Sequence, residues 1–137
     1  MYPQELVAPM KAQLQDVGFE QLETVEQVDN ALNNNEGTVL VVVNSVCGCA
    51  AANARPAAIE SINNSKKPGK LTTVFAGVDG DATGQARKYM LPYPASSPSI
   101  ALFKDGKLVH MLERHHIEGN SAELISENLK AAYNEFC

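Results

Sequence analysis

Thr38-Val39-Leu40-Val41-Val42-Val43-Asn44-Ser45-Val46-Cys47-Gly48-Cys49 decides how this chain is read. Thr38 to Val43 is a continuous β-branched and aliphatic run, the pattern of a strand buried on both faces and hence of a central parallel strand. It leads directly into two cysteines around a glycine, and then into an alanine-rich helix over about residues 49–63. Downstream, Leu71 to Ala76 reads as a second buried strand and Thr83 to Met90 as a short helix. Ser99 to Phe103 and Leu108 to Met111 flank Lys104-Asp105-Gly106-Lys107, and the Asp-Gly pair predicts a two-residue hairpin with both turn residues at positive φ. Upstream, Leu6, Met10, Leu14 and Val17 recur at helical spacing over 4–17, with Pro9 in the early turns and Gly18 placed for a left-handed cap. Thr24-Val25-Glu26-Gln27 is a capping-box pattern, with Val25, Val28, Ala31 and Leu32 as the apolar face behind it and an exit through Asn33 to Gly37. Asn120, with Glu123 three residues on, opens a last helix whose apolar face is Leu124, Ile125, Leu129, Ala132, Tyr133 and Phe136.

The alternation of β and α segments implies a parallel core with right-handed crossovers, and the closing hairpin adds antiparallel strands. The expected class is α/β, a central mixed sheet flanked by helices with an N-terminal helical extension. The 137 residues, without a linker or repeat, correspond to one domain over 1–137. A 45% hydrophobic and 20% charged composition is globular and carries no disorder signature. No apolar run reaches the ~18 residues of a membrane span, and Met1-Tyr2-Pro3-Gln4-Glu5 does not open a secretory signal. The net charge of −5, without a Lys/Arg block, argues against nucleic acid as the partner. The expected setting is the cytoplasm.

Three cysteines are an odd number and a poor disulfide framework, so the close pair points to redox chemistry or to a metal. A thiol attacks only as thiolate, and Cys47 lies where a strand meets a helix start, among unpaired N–H groups and the positive end of the helix dipole. Lowering a thiol pKa from about 8.5 to about 6.5 raises the thiolate fraction at pH 7 from roughly 3% to roughly 75%. Gly48 lacks a Cβ and leaves room for an incoming disulfide. Positions i and i+2 do not share a helix face, so Cys47 is expected to be exposed and to attack, with Cys49 turned inward and resolving. Two other readings stay open: inert buried thiols, or a Cys-x-Cys metal carrier completed by His110, His115 and His116. The spacing is unlike the usual zinc patterns, and no metal is assigned.

The strand–Cys pair–helix unit within a mixed sheet describes a thioredoxin-like fold. Pro56, in the helix after the pair, resembles a proline found at nearly the same place in such proteins. Pro98, in Ser96-Ser97-Pro98-Ser99 before the Ile100 strand, resembles their cis-proline, which would set the backbone of Ser97 beside Cys47. Phe103-Lys104-Asp105-Gly106-Lys107 resembles their hairpin. Two departures stand out: Cys47 follows Val46 and the chain has no Trp, and Val41 occupies the place of the buried carboxylate of thioredoxins. Ordinary thioredoxin reductase is accordingly in doubt as the electron donor.

Across nearly its whole length the chain resembles the bacilliredoxin family. The resemblance is carried by Tyr2-Pro3, Val7-Ala8-Pro9-Met10, Val41 to Ala51, Ala54-Arg55-Pro56-Ala57, Ser96 to Phe103 and Arg114-His115-His116-Ile117-Glu118-Gly119. It implies removal of bacillithiol from S-bacillithiolated protein cysteines, with Cys47 taking the small thiol as a mixed disulfide. Bacillithiol is then a thiol co-substrate, no cofactor is bound, and the partners are the modified proteins and a low-molecular-weight thiol with its reductase. Some members are regarded as thiol-disulfide isomerases, so a general protein disulfide oxidoreductase or isomerase is the alternative. The catalytic candidates are Cys47 and Cys49; the substrate-binding candidates are Gly48, Ser97, Pro98, Arg114 and His115. Arg114 is singled out because bacillithiol carries a malate, whose carboxylates a guanidinium can pair in bidentate fashion. Arg55 reads either as an electrostatic neighbour of the pair or as a bystander, and Cys137 as a bystander or a resolving thiol.

Overall fold

Val39 to Val43 are each at most 3% exposed, so the strand β2 (Thr38–Asn44) must be covered on both sides. The computed structural model, which describes residues 2–33 and 36–137, shows how. Side chains alternate across a strand. Leu40 and Val42 face a core shared with Leu14 of α1 (Gln4–Gln15), Ala57 and Ala58 of α3 (Arg55–Ser61), and Ile125, Leu129 and Tyr133 of α6 (Ala122–Phe136). Val39, Val41 and Val43 face the other core, with Val28 and Leu32 of α2 (Val25–Leu32) and Ala82 and Ala86 of α4 (Gly80–Tyr89).

The sheet has five strands in the order β1-β3-β2-β4-β5. β3 (Lys70–Phe75) runs parallel to β2 and to the two-residue β1 (Glu20–Gln21); β4 (Ser99–Lys104) and β5 (Lys107–Leu112) are antiparallel additions. Two buried threonines of β3 are satisfied on β2, Thr72 Oγ1 donating to Leu40 O at 2.8 Å and Thr73 Oγ1 to Val42 O at 2.7 Å. The expected hairpin is present, with Asp105 at φ 51° and Gly106 at φ 81°. Asp105 also reaches back to the entry of β2, accepting the Gly37 N–H at 2.8 Å.

Several local expectations change on contact with tertiary packing. The buried stripe of α1 is Val7, Lys11 and Leu14, while Leu6 and Val17 are 44% and 38% exposed. Lys11 lays its alkyl stem along the core, and its ammonium reaches Glu23 at 2.8 Å and Asp79 at 2.9 Å. Burial opposes that charge, but the two carboxylates outweigh it and raise the Lys11 pKa. The box at Thr24 forms as read, Thr24 Oγ1 accepting from Gln27 N and Gln27 Oε1 from Thr24 N. The exit of α2 includes Asn34 and Asn35, which lie outside the described residues, as does Met1. α4 starts one turn earlier than Thr83, and α6 is capped by Ser121, whose hydroxyl accepts the Leu124 N–H, rather than by Asn120. Asn120 instead donates to His116 O, and Leu124, at 62% exposure, lies off the buried face. The helix after the cysteines is not uniform: Ala50–Ala54 form a π-turn, and the Arg55 N–H bonds Ala50 O before α3 takes over. Pro56 thus lies within a continuous helical run, directly after the π-turn where the hydrogen-bond pattern changes.

Tyr133 gives this packing a pH signature. Its hydroxyl lies 2.9 Å from Ser61 Oγ, whose own proton goes to Ala58 O, so Tyr133 is the donor. Burial pushes its pKa up to about 12 from 10.0. The unfolded chain loses this proton first, so the stabilisation is complete below pH 10 and is lost as pH rises toward 12. Denaturant melts should show about 2–3 kcal/mol of loss across that window. Tyr133→Phe should cost about 1 kcal/mol at neutral pH and reduce the alkaline loss, leaving the part due to Tyr89, whose pKa is also pushed up to about 12.

Candidate functional site at the end of the central strand

β2 delivers the cysteine pair through a fixed turn. Asn44, fully buried, donates through Nδ2 to Met10 O at 3.3 Å and accepts the Ser45 N–H at 2.9 Å. Ser45 Oγ in turn accepts the Cys47 N–H at 3.2 Å. The Cys47 carbonyl receives the N–H groups of Ala50 and Ala51 at 3.0 and 3.3 Å, so the helix begins on the cysteine itself. Cys47 and Cys49 form a disulfide with Cα atoms 5.3 Å apart, and both are half-buried rather than one exposed and one inward. The bond requires the two sulfurs to turn toward each other, which overrides the helix-face argument. Gly48 is exposed, and a Cβ there would meet nothing within 4 Å, leaving open space over the bond.

The Cys47 sulfur receives two N–H donors, Cys49 N at 3.4 Å and Arg114 Nη2 at 3.5 Å. Arg114 is aimed by its remaining contacts. Its Nε pairs with Glu118 at 2.9 Å, its Nη1 donates to Ser97 O at 3.3 Å, and its backbone N–H donates to Ser96 Oγ at 3.4 Å. The Ser97–Pro98 peptide is cis, as the resemblance implied; Leu91–Pro92 is cis as well, which nothing in the sequence signalled. Pro98 is buried, and Ser97 lies beside Cys47 on one wall of a cleft of about 490 Å³.

That cleft contains a group the sequence reading missed. Arg87, in the last turn of α4, lines it together with Cys47, Ser97 and Arg114, while Tyr2 packs across it over Gly77. Gly77 has φ 82°, and a Cβ there would approach the Tyr2 ring to 3.2 Å. Arg87 Nη2 donates to Ser96 O at 3.3 Å, its Nε is buried without a partner, and among the described residues it makes no ion pair. Burial lowers its pKa. In sequence, Arg87-Lys88 is an ordinary cationic end to a helix, with nothing to separate it from a dipole partner.

The remaining candidates lie elsewhere. His115 is exposed and, with His116, lines a second depression beside α6 rather than the Cys47 cleft. His116 Nδ1 accepts the Glu113 N–H at 3.0 Å, capping the short α5 (Arg114–Ile117). Glu113, His115 and His116 place ligand atoms within 4.8 Å of one another, and the cysteines are not part of that group. His110 contacts Asn128 at 2.7 Å on the surface of the hairpin. Cys137 is free and exposed.

Comparison with known proteins places this geometry. A family model described as disulphide isomerase matches residues 2–137. A bacilliredoxin of Cytophaga hutchinsonii is 58% identical over 135 residues, covering 98% of this chain and 99% of its own. A bacilliredoxin of Halalkalibacterium halodurans is 49% identical, covering 99% of this chain and 94% of its own. Among solved structures, Fasciola hepatica thioredoxin superposes with a TM-score of 0.59 at 20% identity, covering 87% of this chain and all (100%) of its own. Mitochondrial thioredoxin 3 of Saccharomyces cerevisiae gives 0.60 at 12% identity, covering 90% and 98%. The thioredoxin fold is thereby established. Among the described residues no helix is long and apolar enough to cross a membrane.

The sulfur inventory is directly checkable by intact mass. Alkylation of the folded, oxidised protein should add one label, on exposed Cys137, and alkylation after reduction should add three.

Proposed function

The chain belongs to the bacilliredoxin family and is a thiol-disulfide oxidoreductase, and from that premise we propose that it removes bacillithiol from S-bacillithiolated proteins through attack by Cys47. The observation that carries the assignment is that both N–H donors at the pair converge on the Cys47 sulfur. Donors placed there stabilise sulfur most when it is anionic. The Cys47 thiolate attacks the bacillithiol sulfur of the mixed disulfide. The old S–S bond breaks, the protein thiolate leaves and takes up a proton, and bacillithiol stays on Cys47. Cys49, once deprotonated, then attacks the Cys47 sulfur and releases bacillithiol as a thiol. The Cys47–Cys49 disulfide so formed needs two electrons from an external thiol reductant.

Arg87 and Arg114 suit the malate end of bacillithiol, with one guanidinium for each carboxylate. The Ser97 carbonyl accepts from Arg114 Nη1 at 3.3 Å, which ties this guanidinium to the cleft wall beside Cys47. The proposed setting is the cytoplasm, with residues 1–137 acting as one domain. The isomerase reading is supported by the description of the matching family model, and it needs the Cys47–Cys49 disulfide to act on peptides.

Cys49→Ala protein incubated with a bacillithiolated substrate should accumulate bacillithiol on Cys47, read by peptide mass spectrometry. Label on Cys137 instead, or strong refolding of scrambled ribonuclease without bacillithiol release, would decide against the proposal. Arg87→Met and Arg114→Met should each lower kcat/KM about 10- to 100-fold, the loss of one charge-assisted bond of about 1.5–3 kcal/mol. For a substrate modified with a thiol lacking carboxylates the Arg87→Met loss should shrink, while part of the Arg114→Met loss should remain because its bond to the Cys47 sulfur is also gone.

A further inference from the structure

Arg55 is 2% exposed, and each hydrogen bond it makes goes to a neutral acceptor. Nε donates to Gln13 Oε1 at 2.7 Å, and Nη1 donates to Asn44 Oδ1 at 2.9 Å and to Ser45 O at 3.0 Å. Among the described residues it has no ion pair. A charge is rarely buried without an opposite charge, because desolvation is then repaid only through hydrogen bonds. An arginine cannot escape the cost by losing its proton. Burial pulls its pKa down from the ordinary value, yet it stays a cation at any working pH. A cation in a protein interior acts over a longer range than one in water.

Its position gives that charge a target. The guanidinium holds Asn44, the last residue of β2, and Ser45 after it, and the hydroxyl of Ser45 holds the Cys47 N–H. The other charged or titratable groups facing Cys47 are Arg114 from α5 and Arg87 from α4, with the Tyr2 phenol from the N-terminal arm. Arg114 is offset by Glu118, and on α1 the neighbouring cation Lys11 is neutralised by Glu23 and Asp79. We propose that Arg55 is a positioning residue whose uncompensated buried charge favours the thiolate of reduced Cys47 while its hydrogen bonds fix the turn that carries it. The proposal rests on the reading that Cys47 is the attacking thiol, and it goes beyond that reading by locating the source of the thiolate's stability beneath the turn.

The test uses protein carrying Cys49→Ser and Cys137→Ser, so that Cys47 is the one thiol titrated by its ultraviolet thiolate absorbance. Gln13 is exposed, so Gln13→Glu sets a carboxylate of the same shape against Arg55 Nε with little risk to folding. It should raise the Cys47 pKa by about one unit. Gln15→Glu puts the same charge on α1 without an Arg55 contact, and should shift it by less than half as much. Arg55→Met should raise the Cys47 pKa, and Arg55→Lys, whose buried amine can shed its proton where a guanidinium cannot, should raise it as well. An unchanged Cys47 pKa in folded Gln13→Glu protein, or an equal shift in Gln15→Glu, would overturn the proposal, whether or not Arg55→Met folds. Because no bacillithiol enters the titration, this outcome and that of the trapping experiment are read separately.

Discussion

The structure is organised by a strand with no exposed side. Leu40 and Val42 require an apolar cover on one face, and Val39, Val41 and Val43 require one on the other, so helices must lie on both sides of the sheet. Parallel β3 beside β2 forces a long crossover, and that crossover is the helix that begins at the cysteines. The end of such a strand is an opening between two helix layers, where a side chain can meet solvent while its backbone stays anchored. Cys47 occupies that opening, held through Asn44 and Ser45 from below and bordered by Ser97 and Arg114 from the β4 side.

The electrostatics of the site run against those of the chain. A protein of net charge −5 gathers three guanidinium groups around one sulfur: Arg114 in contact with it, Arg87 across the cleft and Arg55 beneath the turn. Thioredoxins place a buried carboxylate on this strand, at the position that is Val41 here, and Val41 is fully buried in an apolar core. A carboxylate below the site and a cation below it bias a thiol in opposite directions. Here the carboxylate position is apolar and the cation comes from α3, on the other face of the sheet.

Much of this was legible in the sequence, for reasons that differ by element. The β2 run, the Asp105-Gly106 turn and the Thr24 box are local patterns with a single structural solution, and each forms as read. The cysteine pair was legible from its place where a buried strand meets a helix, and Pro98 and Arg114 through resemblance. Misreadings arose where a residue's partner lies far away in the chain. Lys11 is buried because Glu23 and Asp79 meet it from two other segments, and no periodicity announces that. Leu124 matched the apolar face of α6 by type, but at 3.6 residues per turn it lies opposite the face made by Ile125, Ser126, Leu129, Ala132 and Tyr133. Arg87 joins the site because α4 ends beside Ser96, a contact made across the fold and invisible in the Arg87-Lys88 dipeptide. His115 shows the converse, adjacent to Arg114 in the chain yet directed to a different depression.

The central claim is that Cys47 carries the small thiol, with that thiol's carboxylates on Arg87 and Arg114. A crystal structure of the Cys49→Ala protein in mixed disulfide with bacillithiol tests it most directly. The account predicts density continuous with the Cys47 sulfur, running into the cleft between Ser97 and Tyr2, with one malate carboxylate against each guanidinium. A Cys47 adduct whose malate points to solvent, with Arg87 still bonded to Ser96 and Arg114 to Ser97, would contradict it.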